Sequence, residues 1–290
     1  MRILITGGSG FLGRRAAERL AACGHTVLTP PHSLLDVTQA ASPAAWQARH
    51  RPQLVLHCAA VSSTAACQQQ PAAAARVNVQ GSARLAAACA AVEARLVLCS
   101  SDQVYFGSGR PGPHTEDEPL TPCGVYGQQK LRAETLCRAL CPDTVCLRLS
   151  WMYDIRQRPG EHGNFLLTLL QTLENFQGGQ TPPLCLPVYD RRGLTDVAQV
   201  LDNLPRALAL PAGVYNFGSG SAGNTCETVR QALRQLDMPI QSVQGDTQAF
   251  AAAPRDIRMT QDKQHAFGLQ FSATAQGLAD ALRRCGMGSV

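Results

Sequence analysis

Ile3-Leu4-Ile5-Thr6-Gly7-Gly8-Ser9-Gly10-Phe11-Leu12-Gly13 reads as a buried strand that runs into a glycine turn and then a helix. Gly7 turns the chain sharply, Gly10 lets the backbone approach a pyrophosphate, and Gly13 lets the following helix, Arg14 to Cys23, pack closely on the strand. From Ser9 through Phe11 and Leu12, the start of that helix offers free N–H groups to phosphate oxygens. Glycine also punctuates ordinary tight turns, so the motif takes its weight from its position between strand and helix. The stretch predicts a dinucleotide site at the head of an α/β sheet.

Outward from this stretch, apolar runs alternate with helical patterns. Strands are expected at Arg2-Thr6, Thr26-Thr29, Leu54-Cys58, Arg95-Ser100, Thr144-Leu149 and Leu184-Val188, with helices between the first five. This alternation implies a parallel, doubly wound Rossmann sheet. Its right-handed crossovers bring the strand ends, and with them Gly10, Ala60 and Ser101, to one edge. After Trp151 the regularity fails, and Pro159-Gly160, Gly178-Gly179 and Pro182-Pro183 suggest a smaller, partly irregular substrate lobe. Residues 1–150 are expected to form the NAD(P)-binding domain and 151–290 mainly the substrate lobe, closed by a helix from Thr274 to Cys285.

A second motif carries the chemistry. Ser100-Ser101-Asp102-Gln103-Val104-Tyr105 follows the apolar run Leu96-Val97-Leu98-Cys99, and Tyr126-Gly127-Gln128-Gln129-Lys130 lies 25 residues beyond Ser101. In a helix from Val125 to Leu140, Tyr126 and Lys130 share one face. A free tyrosine titrates near pH 10, and an adjacent ammonium is expected to lower that value by stabilising phenolate. Tyr126 then becomes a candidate general acid, Ser101 a hydrogen-bond donor to a reacting carbonyl oxygen, and Lys130 a holder of the cofactor ribose as well. The plain alternative is a surface tyrosine and a solvated lysine. Its weight falls because the glycine motif occurs in the same chain.

Composition bounds this reading. At 290 residues, 45% hydrophobic and 16% charged, the chain can bury one large core or two unequal ones. The net charge of +5 comes from scattered basic pairs such as Arg14-Arg15, Arg191-Arg192 and Arg283-Arg284, with no basic run or interleaved aromatics to predict nucleic-acid binding. No apolar run approaches the roughly 18 residues of a membrane span, and no cleavable signal is recognised, so a cytoplasmic location is expected. The 12 cysteines form no C-x-x-C pair, and Cys58, Cys99 and Cys146 sit in apolar runs. They read as free thiols acting as small hydrophobes rather than metal ligands, and no metal is expected. Among the seven histidines, His57 alone has a plausible local role beside the cofactor turn, and a structural one at that.

The whole chain resembles the extended short-chain dehydrogenase/reductases, and most of all their dTDP-4-dehydrorhamnose reductase branch. The likeness rests on the glycine motif, His57-Cys58-Ala59-Ala60, Val77-Asn78-Val79-Gln80-Gly81, and the segments around Ser101 and Tyr126. It continues through Glu116-Asp117-Glu118-Pro119, Leu147 to Tyr153, Gly163-Asn164-Phe165, Pro254-Arg255-Asp256 and Lys263 to Leu269. The resemblance implies catalytic roles for Ser101, Tyr126 and Lys130, with Asn78 steadying the lysine through water. It also implies cofactor contacts at Ala59, Ala60 and Val61, an adenine-contacting pair at Asp36-Val37, and a sugar flanked by Ser101, Asp102, Tyr126 and Trp151. A core tryptophan and a loop aspartate capping the next helix are the plain readings of Trp151 and Asp36. The resemblance further implies a chain that re-enters the first domain around 185–220, and a homodimer.

Departures from the branch bear on the substrate. Val61-Ser62-Ser63-Thr64-Ala65-Ala66-Cys67 stands where the branch carries acidic residues, and Asp190-Arg191-Arg192-Gly193-Leu194-Thr195 is shorter than its counterpart. After the second strand, Thr29-Pro30-Pro31-His32 offers neither the carboxylate that selects NAD nor a basic residue that selects NADP; the missing repulsion tilts the expectation to NADPH over NADH. The expected activity is reduction of a 4-keto group on a nucleotide-activated deoxysugar. Sugar-nucleotide epimerisation remains an alternative, as does a non-catalytic role like that of the methionine adenosyltransferase regulatory subunit. Dehydration is disfavoured because Gln103 stands where dehydratases of the superfamily place glutamate.

Overall fold

The computed structural model describes residues 1–158, 164–177 and 182–288. Gly163, Pro159-Gly160 and Gly178-Gly179 lie outside the described residues. The chain divides into two units, one of residues 1–108, 116–149 and 201–216, the other of 109–115, 150–200 and 217–290.

The first unit is built on strands β1 (Arg2–Thr6), β2 (Thr26–Leu28), β3 (Leu54–His57), β4 (Arg95–Ser101) and β5 (Thr144–Leu149). Around them stand helices α1 (Phe11–Ala22), α2 (Ser42–His50), α3 (Thr64–Gln69), α4 (Pro71–Ala75), α5 (Ser82–Ala91) and α6 (Val125–Leu140). Every residue of β3 and β5 is buried, the pattern of strands covered on both faces, which is why they read as unbroken apolar runs. The sheet runs β2-β1-β3-β4-β5 with all pairs parallel, and Gly213–Phe217 adds the sixth strand beside β5. The order reverses between β1 and β3, and ligands of doubly wound sheets bind at such a switch point. Leu4, Val55, Leu96 and Leu98 from the sheet pack with Leu85, Ala86 and Cys89 of α5 and Ala133 and Cys137 of α6 in one core cluster.

Two expectations need correction. Helix α1 begins at Phe11, not Arg14, because Gly10 is already extended (φ −76°, ψ 172°) and caps it. The strand expected at Leu184-Val188 forms as Leu184–Pro187, but it pairs with Val243–Asp246 in the second unit. The return to the first unit is therefore confined to 201–216, which supplies the edge of the main sheet from a segment not read as a strand.

The second unit has its own core, where Phe165, Leu166, Leu169 and Leu173 pack with Val229, Leu233, Leu278 and Leu282 from three amphipathic helices. Its strands are short parallel pairs, including Trp151–Tyr153 with Leu194–Asp196 and Asp190–Arg191 with Arg255–Asp256. The second of these pairs carries a bidentate Arg255 to Asp190 ion pair at 2.7 and 2.9 Å.

Candidate active site

At the carboxyl ends of β1, β2 and β3 lies a cavity of about 610 Å³, lined by residues 6–10, 29–32 and 58–60 with Leu35, Val37, Thr38 and Val77. Gly7 turns out of β1 at φ +68°, a conformation that favours glycine. A Cβ on Gly13 would lie 2.2 Å from the Gly7 carbonyl oxygen, so only bare backbone lets α1 sit this close to the turn. Ser9 and Gly10 are exposed at the head of α1. Phe11, Leu12 and Gly13 form its first turn and do not line the cavity; the Arg15 guanidinium covers the Phe11 ring at 4.1 Å. Val37 lines the cavity and Asp36 does not. The Asp36 carboxylate accepts the Thr38 hydroxyl and N–H at 2.7 and 2.8 Å and faces His32 at 3.2 Å. The Thr38 bonds hold it below the usual carboxylate range. It shapes a local turn and does not cap α2, whose cap is Ala41. A glycine cradle of this kind at the head of α1 fits the phosphates of a dinucleotide.

Beside this cavity, β4 and α6 bring Ser101, Tyr126 and Lys130 together. Ser101, at the end of β4, donates to Asp102 Oδ1 at 3.1 Å and accepts the Gln103 N–H at 3.2 Å. Its hydroxyl also meets the Tyr126 phenol, and Lys130 Nζ lies 5.7 Å from the Tyr126 ring centre. Lys130 is buried and donates to the Cys99 carbonyl oxygen at 2.9 Å. The expected lowering of the tyrosine pKa is not found: burial pushes it up, helped by the Asp102 carboxylate, while Ser101 pulls weakly the other way. The lysine points its hydrogen bond at backbone instead. Burial lowers the Lys130 pKa as well. Asp102 is itself buried, so its carboxylate orients Ser101 from within.

Gly127, next to Tyr126, makes this meeting possible. A Cβ there would lie 2.3 Å from the Gln103 carbonyl oxygen, so the first turn of α6 rests directly on the turn after β4. Sequence reading passed over this glycine, and its one signal is that it follows the candidate acid.

Two buried hydrogen-bond networks fix the surroundings. Asn78, in the wide π-turn Arg76–Gly81, accepts the Val61 N–H at 2.8 Å and donates to the Val61 carbonyl at 3.0 Å and to Gln129 Oε1 at 2.9 Å. It therefore acts on the residue beside Lys130, and Val61 is held by its backbone. His57 bridges Thr6 Oγ1 at 2.6 Å and Ser82 Oγ at 2.9 Å, and Ser82 donates to the Asn78 carbonyl at 2.8 Å. Since Ser82 has spent its proton, His57 carries hydrogen on Nε2 and accepts from Thr6 at Nδ1. Burial, with the Lys130 charge, holds this imidazole neutral and its pKa down at about 3. Deeper in the unit, Ser100 and Arg148 converge on Glu134, and Arg148 also reaches Tyr105 at 2.9 Å. Glu134 lies one helical turn past Lys130, so this network anchors α6 beneath the site.

In the second unit, Trp151 is 45% exposed, with Phe165 at 5.6 Å and the Arg192 guanidinium over its ring at 5.0 Å. It is not a core tryptophan. All 12 cysteines are free. Among the described residues no three His, Cys, Asp or Glu side chains gather as a metal set, and no helix is long and apolar enough to cross a membrane.

The profile of the RmlD substrate binding domain family matches residues 1–286. The chain belongs to this family. Within it, dTDP-4-dehydrorhamnose reductase of Streptomyces griseus is 35% identical over 241 residues, covering 80% of this chain and 73% of the relative. The enzyme of that name from Mycolicibacterium smegmatis is 36% identical over 168 residues, 58% of this chain but only 50% of the relative's length. The crystal structure of dTDP-4-dehydrorhamnose reductase from Bacillus anthracis in complex with NADP superposes with a TM-score of 0.83 at 23% identity, covering 98% of each chain. At that identity the superposition speaks for the fold: a Rossmann-like parallel sheet with an additional lobe, as in the RmlD family.

Proposed function

We propose that the chain is an NAD(P)H-dependent reductase of the 4-keto group of a dTDP-activated 6-deoxysugar. The observation that carries this reading is the convergence of Ser101, Tyr126 and Lys130 beside a glycine-floored cavity, on one edge of the sheet. Residues 7–10 and the head of α1 hold the dinucleotide phosphates, residues 29–32 and Val37 its adenosine end, and Ala59 and Ala60 the wall opposite. A reduced nicotinamide held there would supply the hydride for the carbonyl carbon. Tyr126 gives its phenolic proton to the carbonyl oxygen, and its raised pKa keeps that proton in place at neutral pH until negative charge develops. Ser101, on turning its hydroxyl away from Asp102, donates a hydrogen bond to the same oxygen. Lys130, fixed through Cys99, binds the cofactor ribose and offsets charge on the tyrosine. NADPH is the proposed donor because no carboxylate lines the cavity after β2, and Asp36 is tied to Thr38.

Loss of reduced-nicotinamide absorbance with dTDP-4-keto-6-deoxyglucose and with its 3,5-epimerised form tests this, with NADPH and NADH side by side. Oxidation that depends on the keto sugar is expected, fastest with NADPH. Dinucleotide binding without turnover on either sugar would overturn the reading and favour a regulatory role.

A further inference from the structure

Two neighbouring thiols, one of them lining the cavity, have no part in the proposed reaction. The parallel register of β3 and β4 pairs Leu54 with Arg95 and His57 with Leu98, so Cys58, one residue beyond β3, stands opposite Cys99. Their sulfurs are 3.6 Å apart. Neighbouring strands lie about 4.8 Å apart, within the roughly 4.4–6.8 Å Cα separation of disulfides. Closing the sulfurs to a bond of about 2.05 Å therefore needs side-chain rotation and little backbone movement. Cys58 lines the cavity and is half-buried, which gives a small oxidant a route to the pair, while Cys99 is 7% exposed. The Cys99 carbonyl receives the Lys130 ammonium at 2.9 Å, and the charge of that ammonium acts on both thiols.

We propose that Cys58 and Cys99 are an oxidation site, a pair that a peroxide joins into a reversible disulfide across the ends of β3 and β4, and that a dinucleotide in the cavity shields. The shielding rests on the function proposed above; the cross-link does not. Either sulfur can donate the hydrogen bond to the other, and the Lys130 charge favours the thiolate at both. The thiolate of one cysteine attacks a peroxide oxygen, forming S–O as O–O breaks, and the departing oxygen leaves as water after taking a proton. The other thiol then attacks that sulfur, forming S–S as S–O breaks, and a second water departs with its proton. Two thiols lose two electrons and two protons, and one hydrogen peroxide becomes two waters. The new bond ties the end of β3 to Cys99, whose carbonyl holds Lys130, so oxidation reaches the site without touching Tyr126.

The test treats reduced full-length protein with hydrogen peroxide, with and without saturating NADP+, followed by non-reducing digestion and peptide mass mapping. Expected is a cross-linked peptide containing Cys58 and Cys99, two hydrogens lighter than its parts. Dithiothreitol should reverse it, Cys58→Ser and Cys99→Ser should abolish it, and NADP+ should slow it several-fold. Oxidation confined to the exposed Cys23, Cys123 and Cys185, with Cys58 and Cys99 recovered as free thiols, would overturn the proposal. An unchanged rate while a fluorescence titration reports NADP+ bound would overturn the shielding. Cross-linking in a protein that binds no dinucleotide would support the pair and remove the dinucleotide reading instead.

Discussion

Replacing Gly127 by alanine alters no catalytic group, yet it should damage catalysis. The added Cβ would lie 2.3 Å from the Gln103 carbonyl oxygen and 3.1 Å from Pro122 Cβ. An ordinary contact begins at 3.4 Å, so the deficit against Gln103 is 3.4 − 2.3 = 1.1 Å, and the obstacle is backbone that has no rotamer to escape into. Helix α6 must lift by about that distance, and Tyr126 and Lys130 ride on it. A misplacement of about 1 Å lowers turnover on the order of 100-fold. Overpacking costs about 1–3 kcal/mol of stability, offset by about 1 kcal/mol from the better helix propensity of alanine, so the net loss is small beside the catalytic one. The assay is kcat with NADPH and the keto sugar, alongside a urea unfolding midpoint. Wild-type kcat in a folded Gly127→Ala protein would refute the argument that this contact positions Tyr126.

Tyr126→Phe keeps the ring and should keep NADPH affinity within about twofold, while turnover falls about 10²–10⁴-fold; unchanged turnover would remove the phenol from the mechanism. Gly10→Ala places a Cβ 3.3 Å from the Gly7 carbonyl oxygen, only 0.1 Å inside ordinary contact, and keeps an ordinary φ of −76°. Its unfolding midpoint should hold while NADPH binding weakens about tenfold, or about 1.4 kcal/mol, by fluorescence titration; unaltered affinity would place the phosphates elsewhere. His57 has a folded pKa of about 3 against an ordinary 6.5, so between these values the unfolded chain takes up a proton that the folded chain refuses. Its contribution to stability is complete above pH 6.5 and is lost as pH falls toward 3, about 2 kcal/mol between pH 7 and pH 5. Urea midpoints at the two pH values should differ less in His57→Gln than in the natural protein, and equal falls would mean that another group carries the acid sensitivity.

Much of the core and of the candidate site's placement was legible because local rules govern it. The run from Ile3 to Ile5 had to be a covered strand, the glycines after it had to turn, and the 3.6-residue repeat put Tyr126 and Lys130 on one face of α6. Other features depend on packing between distant segments. Gly213–Phe217 carries no stronger strand signal than Leu184–Pro187, and only the availability of an edge beside β5 separates their fates. The direction of the Tyr126 pKa shift was misread for the same reason. Spacing brings the lysine close, but burial of both groups and the Cys99 carbonyl decide what each charge feels.

The order of residues alone thus specified the strand-turn-helix at the head of the sheet and the serine, tyrosine and lysine proposed to perform the chemistry, because backbone conformation and helical periodicity are local properties. Which strand completes the sheet, which carbonyl holds Lys130, how closely α6 rests on Gln103, and that Cys58 meets Cys99 were set by contacts between residues tens of positions apart. Their energies arise from burial and close packing that no short window of sequence contains.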